Sequence, residues 1–294
     1  MTAPTALLRP DPALLPHPPL VDVHVHLAAD GGDGLPAGQW AELAASAGIR
    51  VAGVVSPARP SYARANAALL AWATRQEPDE RPALRPIVRL GGRVPVTTAS
   101  RWQLRNAARS RLGRPVDLPA RPGDALTGPA TALVDRVEQD LRDRLRRFAG
   151  VKIVAQVDGI PDETILEAVD ELRLPVLVPA GEGCPPSLVD KRLVQRLRGP
   201  VILCHLGSYP GSAPHFAEAV ALAQQRPNVY LETSAAWLAE FLAHAAREVP
   251  DKLMFGSGAP FVHPRVAWHH VASAVDDDAL EAVAHLTAER VLGW

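Results

Sequence analysis

The sequence predicts a (β/α)8 barrel, and three observations carry that expectation. Beyond Leu20, short β-rich runs alternate with Ala- and Leu-rich helical stretches, a pattern that implies parallel strands joined by right-handed crossovers. Eight such runs occupy residues 20–294, a span close to the ~250 residues typical of the barrel. The first run ends in histidines rather than glycines. Its following loop, Asp30-Gly31-Gly32-Asp33-Gly34, lacks the spacing of a dinucleotide-binding turn, which argues against an open doubly wound sheet.

Residues 1–19 contain six prolines and no apolar periodicity, so they read as a tail or irregular strap. The strand runs are Leu20–His26, Val51–Ser56, Leu84–Leu90, Val151–Val154, Pro175–Pro179, Val201–His205, Val229–Glu232 and Lys252–Phe255. Each is short, rich in Val, Ile or Leu, and bounded by turn-forming residues, as buried parallel strands are. The intervening stretches Ala37–Ala47, Tyr62–Arg75, Ala130–Phe148, Asp162–Leu172, Leu188–Leu197, His215–Gln225 and Ala235–Arg247 have helical composition. The residues between the third strand and the next helix, 91–129, read as an insertion over the mouth or a cap. One barrel domain over 20–294, preceded by the 1–19 segment, is the expected organisation.

With 47% apolar residues, the 294-residue chain can bury a large core. Its formal net charge of −1 argues against a general nucleic-acid binder. No apolar run approaches the roughly 18 residues of a membrane span, and no signal peptide is visible. The two cysteines, Cys184 and Cys204, are too few for a disulfide framework. A cytoplasmic protein without nucleic-acid or membrane partners is therefore expected.

Asp22-Val23-His24-Val25-His26 is the strongest local signal. Alternate residues of a strand share a face, so His24 and His26 point the same way, at the end where barrel active sites lie. Two imidazoles there are two legs of a metal site.

The segments VDVHVH (21–26), FAGVKI (148–153), LPVLVPAGEG (174–183), VILCHLG (201–207), PNVYLETSA (227–235), KLMFGSGAPF (252–261) and ERVLGW (289–294) resemble the amidohydrolase superfamily. The resemblance is to its amidohydrolase-related branch, which includes aminocarboxymuconate-semialdehyde decarboxylase-like enzymes. It implies a divalent metal, usually zinc, on His24 and His26, with His205 matching the strand-six acid/base. The family's strand-five histidine falls at Pro179 and its strand-eight aspartate at Gly258, so two ligands are missing. His205 can then move into the coordination sphere, making a three-histidine site with His24 and His26. Glu182, Cys184, Glu232 and His263 are further donors near the predicted mouth. Lys152 occupies the strand where some branches carry a carbamylated lysine, but a buried lysine paired with a carboxylate or backbone carbonyls is the favoured reading. With His205 inward, Cys204 should face the helices. Arg93, Arg101 and Arg105 in the insertion are candidates for gripping an anion, or form a solvated helical face.

Two functions stay open on these residues. One is a metal-dependent hydrolase, or non-oxidative decarboxylase, acting on a small carboxylated or cyclic compound through an atypical metal site. The other is a catalytically disabled barrel that serves as a binding or partner protein, as a homo-oligomer or beside an active homologue.

Overall fold

The computed structural model describes residues 18–32, 34–59, 62–75, 82–92 and 140–294. The expected Arg93, Arg101 and Arg105 cluster, most of the 91–129 insertion and nearly all of the 1–19 segment lie outside these residues. Among the described residues, eight parallel strands run in sequence order around one sheet: β1 Leu20–His26, β2 Ile49–Val55, β3 Ala83–Leu90, β4 Gly150–Ile153, β5 Val176–Gly181, β6 Val201–Tyr209, β7 Val229–Glu232 and β8 Leu253–Met254. The sheet closes on itself beyond β8. Val23 N donates to Phe255 O at 3.0 Å, His26 N to Ala259 O at 2.7 Å and Gly258 N to His24 O at 2.9 Å. This is the (β/α)8 barrel.

Helices cover the outside because their apolar faces match the outward residues of the strands. In α1, Trp40–Ser46, Trp40 and Ala44 are buried; in α2, Tyr62–Ala73, the buried set includes Leu69 and Leu70. α3, Ala155–Asp158, is a single turn directly after β4. α4, Glu163–Glu171, starts where Asp162 accepts from Ile165 N, which satisfies an otherwise orphaned amide, and it buries Leu166, Ala168 and Val169. The helices α5 (Pro186–Val189), α6 (Ala213–Gln225), α7 (Ala239–Glu248) and α8 (Pro264–Ala274) continue the ring. The chain ends with α9 (Asp277–Glu281), a π-helical turn (Ala282–Leu286) and α10 (Thr287–Leu292). Helices after β8 do not figure among the stretches read from composition.

Two apolar layers result. The larger joins strand residues such as Val54, Val151, Val178, Leu203 and Leu231 to the helices. The smaller fills the barrel with Val21, Val23, Val51, Val55, Ile87, Leu177, Ile202, Cys204 and Met254, against which Trp294 packs.

Two local departures from regular strand geometry position the site. In β1, Asp22 pairs with Ala52 and Val25 with Val54, so three steps along β1 meet two along β2. This bulge lets Val23 and His24 both oppose Gly53, and turns His24 inward after Val23. In β6, His205 and Leu206 have φ of +63° and +52°. Left-handed residues break the two-residue alternation. Cys204 lies inside by regular alternation with Ile202, and the left-handed residues after it let His205 still reach the mouth. The expectation that Cys204 faces the helices is thus corrected.

Candidate active site at the barrel mouth

The register of the inner face sets two stacked layers. Arg89, Lys152, Leu177 and Ile202 are successive partners across β3 to β6. Above them, Pro179 pairs with Cys204, and Glu232 with Met254. His24 and His26 complete this upper region from β1.

Glu232 is its hub. The fully buried carboxylate accepts four hydrogen bonds: from His24 Nδ1 at 3.1 Å, His205 N at 3.0 Å, Ser234 Oγ at 2.7 Å and Ser234 N at 2.7 Å. Burial works against its charge, but His24, His205 and Ser234 outweigh burial and hold the carboxyl well below the usual carboxylate range. An ionised carboxylate can only accept, so His24 Nδ1 carries the proton and His24 Nε2 presents a lone pair. Burial and the adjacent Lys152 lower His24 to about 4, which keeps the ring neutral at pH 7.

His205 is fixed by the same logic. Its Nδ1 donates to Ser234 O at 2.9 Å, and Ser234 Oγ lies 2.8 Å away. No hydrogen bond among the described residues engages its Nε2. Burial lowers its pKa, so a neutral imidazole with a free basic nitrogen faces the partly open mouth. Exposed aromatics stand close by: Tyr209 has its ring centroid 5.2 Å from His205, and Phe261 lies 5.4 Å from His26.

Lys152 is almost fully buried. Its Nζ contacts His24 Nε2 and lies 3.3 Å from His26 Nε2, while the two Nε2 atoms are 3.1 Å apart. Burial lowers its pKa to about 8, so the amine is mainly protonated at neutrality. The expected carboxylate or carbonyl partner is thus replaced by two imidazoles. On the neighbouring strand, the buried Arg89 donates to Asp158 Oδ2 at 2.8 Å, and Asp158 Oδ1 accepts from Tyr62 at 2.9 Å.

Of the other predicted donors, Glu182 is exposed and its backbone N–H donates to Tyr209 O at 2.8 Å. Cys184 is buried in the helix-facing layer, where burial pushes its thiol up to about 11. His263 is exposed and caps α8, its Nδ1 accepting from Arg265 N at 3.2 Å. No hydrogen bond or ion pair among the described residues joins any of these three to His24, His26 or His205. Ser234, Arg89 and Asp158 lie outside the residues that the sequence pattern marks, and Asp22 is marked only as part of the β1 run. Ser234 follows Glu232 by two residues, and Arg89 occupies an inward position at the end of β3, so strand phase was the available signal.

His24, Cys204 and Glu232 offer atoms within 4.8 Å of one another, a group that could hold a metal ion. The metal that the fold family uses fits this arrangement poorly. Pro179 offers no ligand and Gly258 has no side chain. Glu232 already takes four hydrogen bonds and also meets the Cys204 thiol, whose pKa burial raises. The Nε2 atoms of His24 and His26 both face the Lys152 ammonium. Within the described residues, the donor set therefore does not match three protein ligands with an open fourth position.

A family model described as Amidohydrolase matches residues 21–294. No curated protein sequence matches the chain. Among solved structures, a protein from Agrobacterium tumefaciens is similar at TM-score 0.62 and 16% identity, over 95% of this chain and 97% of that one. A probable 2-pyrone-4,6-dicarboxylic acid hydrolase from Acinetobacter baumannii, with citric acid bound, gives TM-score 0.56 at 13% identity, covering 94% and 100%. 2,6-Dihydroxybenzoate decarboxylase from Rhizobium gives TM-score 0.54 at 14% identity, covering 93% and 98%. At these identities the likeness is one of fold.

Proposed function

The chain belongs to the amidohydrolase family over residues 21–294, and from that premise we propose that its mouth converts a small, ring-bearing carboxylate by acid–base chemistry, as a non-oxidative decarboxylase or hydrolase. The observation that carries this reading is the state of His205. Its Nδ1–H is anchored on the Ser234 carbonyl, leaving Nε2 unengaged at the mouth. A neutral imidazole held in one tautomer can accept or deliver a proton without reorganising. Glu232 supports it by holding Ser234 and the His205 backbone N–H. Tyr209 and Phe261 offer flat apolar surface for a ring. The names of the structural relatives, a hydrolase of a pyrone dicarboxylic acid and a benzoate decarboxylase, support the substrate class. No step is assigned to a metal ion.

The disabled-barrel reading rests on Pro179 and Gly258, which leave the family's two further ligand positions without donors. A panel of small aromatic and unsaturated carboxylic acids and lactones separates the two, with release of carbon dioxide and ring opening as readouts. Turnover by wild type that falls about 10²–10⁴-fold in His205→Asn, with the fold retained, is expected for an acid/base residue. Binding of panel members without turnover favours the disabled barrel. Turnover unchanged in His205→Asn overturns the assignment of His205.

A further inference from the structure

The proton on His24 Nδ1 has a consequence at the other end of the ring. Because Nδ1 donates to Glu232, Nε2 is a lone pair, and it lies 3.1 Å from His26 Nε2. His26 Nε2 either donates its proton to that lone pair or, as a second acceptor, needs a positive donor beside it. In the described residues, the donor in contact with both is the ammonium of Lys152, at 3.3 Å from His26 Nε2 and in contact with His24 Nε2. We propose that Lys152 is the resident cation of this site, its ammonium standing where the two β1 imidazoles converge and excluding a divalent ion from them.

Strand geometry makes the ammonium a fixed feature. Lys152 lies in β4, in register with Arg89 on one side and Leu177 on the other, so its side chain shares the inward face. An ammonium supplies three donors and no acceptor, so it can bond the His24 Nε2 lone pair while lying beside His26 Nε2. A zinc ion would need about 2.0–2.1 Å to each nitrogen. It would then occupy the space of Nζ and face a like charge. Glu232, behind His24, supplies the compensating negative charge. An ammonium can hold a carboxylate or oxyanion oxygen, but it offers none of the Lewis acidity that generates hydroxide from bound water. This inference stands whether or not the chain turns over a substrate.

The test is a zinc chloride titration of chelator-treated protein by calorimetry, comparing wild type with Lys152→Met, which keeps a long apolar stem and removes the charge. Wild type is expected to show no saturable uptake. The variant is expected to take up one equivalent, at least about tenfold tighter than any wild-type binding. Equal uptake by both proteins, or none by a folded Lys152→Met, overturns the proposal. A second measurement needs no variant: imidazole nitrogen NMR of wild-type protein labelled at histidine. The Nε2 signals of His24 and His26 should keep their positions when one equivalent of zinc is added. Displacement of both signals would place the metal on them and reject the resident ammonium.

Discussion

A Cβ built on Gly256 would lie 2.1 Å from Glu232 Oε2, so the buried carboxylate occupies the space that any side chain at 256 would need. The contact explains why the segment after β8 is glycine here. The backbone itself lines the carboxylate's pocket, and the same Cβ would also approach His24 Cβ at 3.3 Å. Glu232 cannot move aside cheaply because four donors hold it.

Gly256→Ala is therefore expected to destabilise the fold by about 1–3 kcal/mol, the usual cost of overpacking a filled interior. Ala is expected to disturb His205 as well, through displacement of Glu232. Urea unfolding reads the first effect, and the histidine proton NMR spectrum the second. A variant of wild-type stability with unchanged histidine signals would show that Glu232 has room that the packing denies it.

Glu232→Gln tests the charge rather than the space. The Glu232 carboxyl is held below its ordinary value of 4.5, so the folded state prefers the ionised form. Its contribution is complete above that value and is lost as pH falls through the acid range. Wild-type melting temperature should thus drop on acidification more steeply than that of Glu232→Gln. At pH 7 the variant should be less stable by about 1–3 kcal/mol, since an amide leaves a donor facing Ser234 N. Parallel acid limbs for the two proteins would contradict the ionised hub.

Asp22 has the opposite sign. Its Oδ1 accepts from His24 N at 3.1 Å and Ser257 N at 2.9 Å, while Oδ2 is buried without a partner among the described residues. Burial, against the help of the Ser257 and His24 hydrogen bonds, pushes its pKa from 3.8 up to about 7. The folded state favours the protonated acid, so stability declines as pH rises from about 4 to 7 and levels off beyond. Asp22→Asn keeps the Oδ1 acceptor and removes the titration. Relative to wild type, it should gain roughly 2–4 kcal/mol between pH 4 and pH 8. Stability curves that stay parallel over that range would place the titration elsewhere.

The elements of the barrel are readable in the chain because each depends on local chemistry. Runs such as Val201-Ile202-Leu203 and Val229-Tyr230-Leu231 are β-rich and largely buried, and they are separated by helix-forming stretches of ordinary length. That alternation admits few topologies. The paired histidines were legible for a similar reason, since they are two residues apart on one strand. The sequence alone determined these features, because its periodicity reports directly on strand and helix.

Only the tertiary structure decided what those histidines face. Lys152 lies 128 residues from His24 in the chain and meets it through the register of β1 to β4. The bulge that turns His24 inward exists only as a mismatch between β1 and β2. Left-handed backbone at His205 and Leu206 lets His205 reach the mouth although its neighbour Cys204 already faces inside, against the alternation that a regular strand would impose. Pro179 and Gly258 reveal from sequence that ligands are missing, yet no local pattern says what replaces them. A side chain's partner depends on distances across strands, and those are set when the sheet closes and all eight registers are satisfied together.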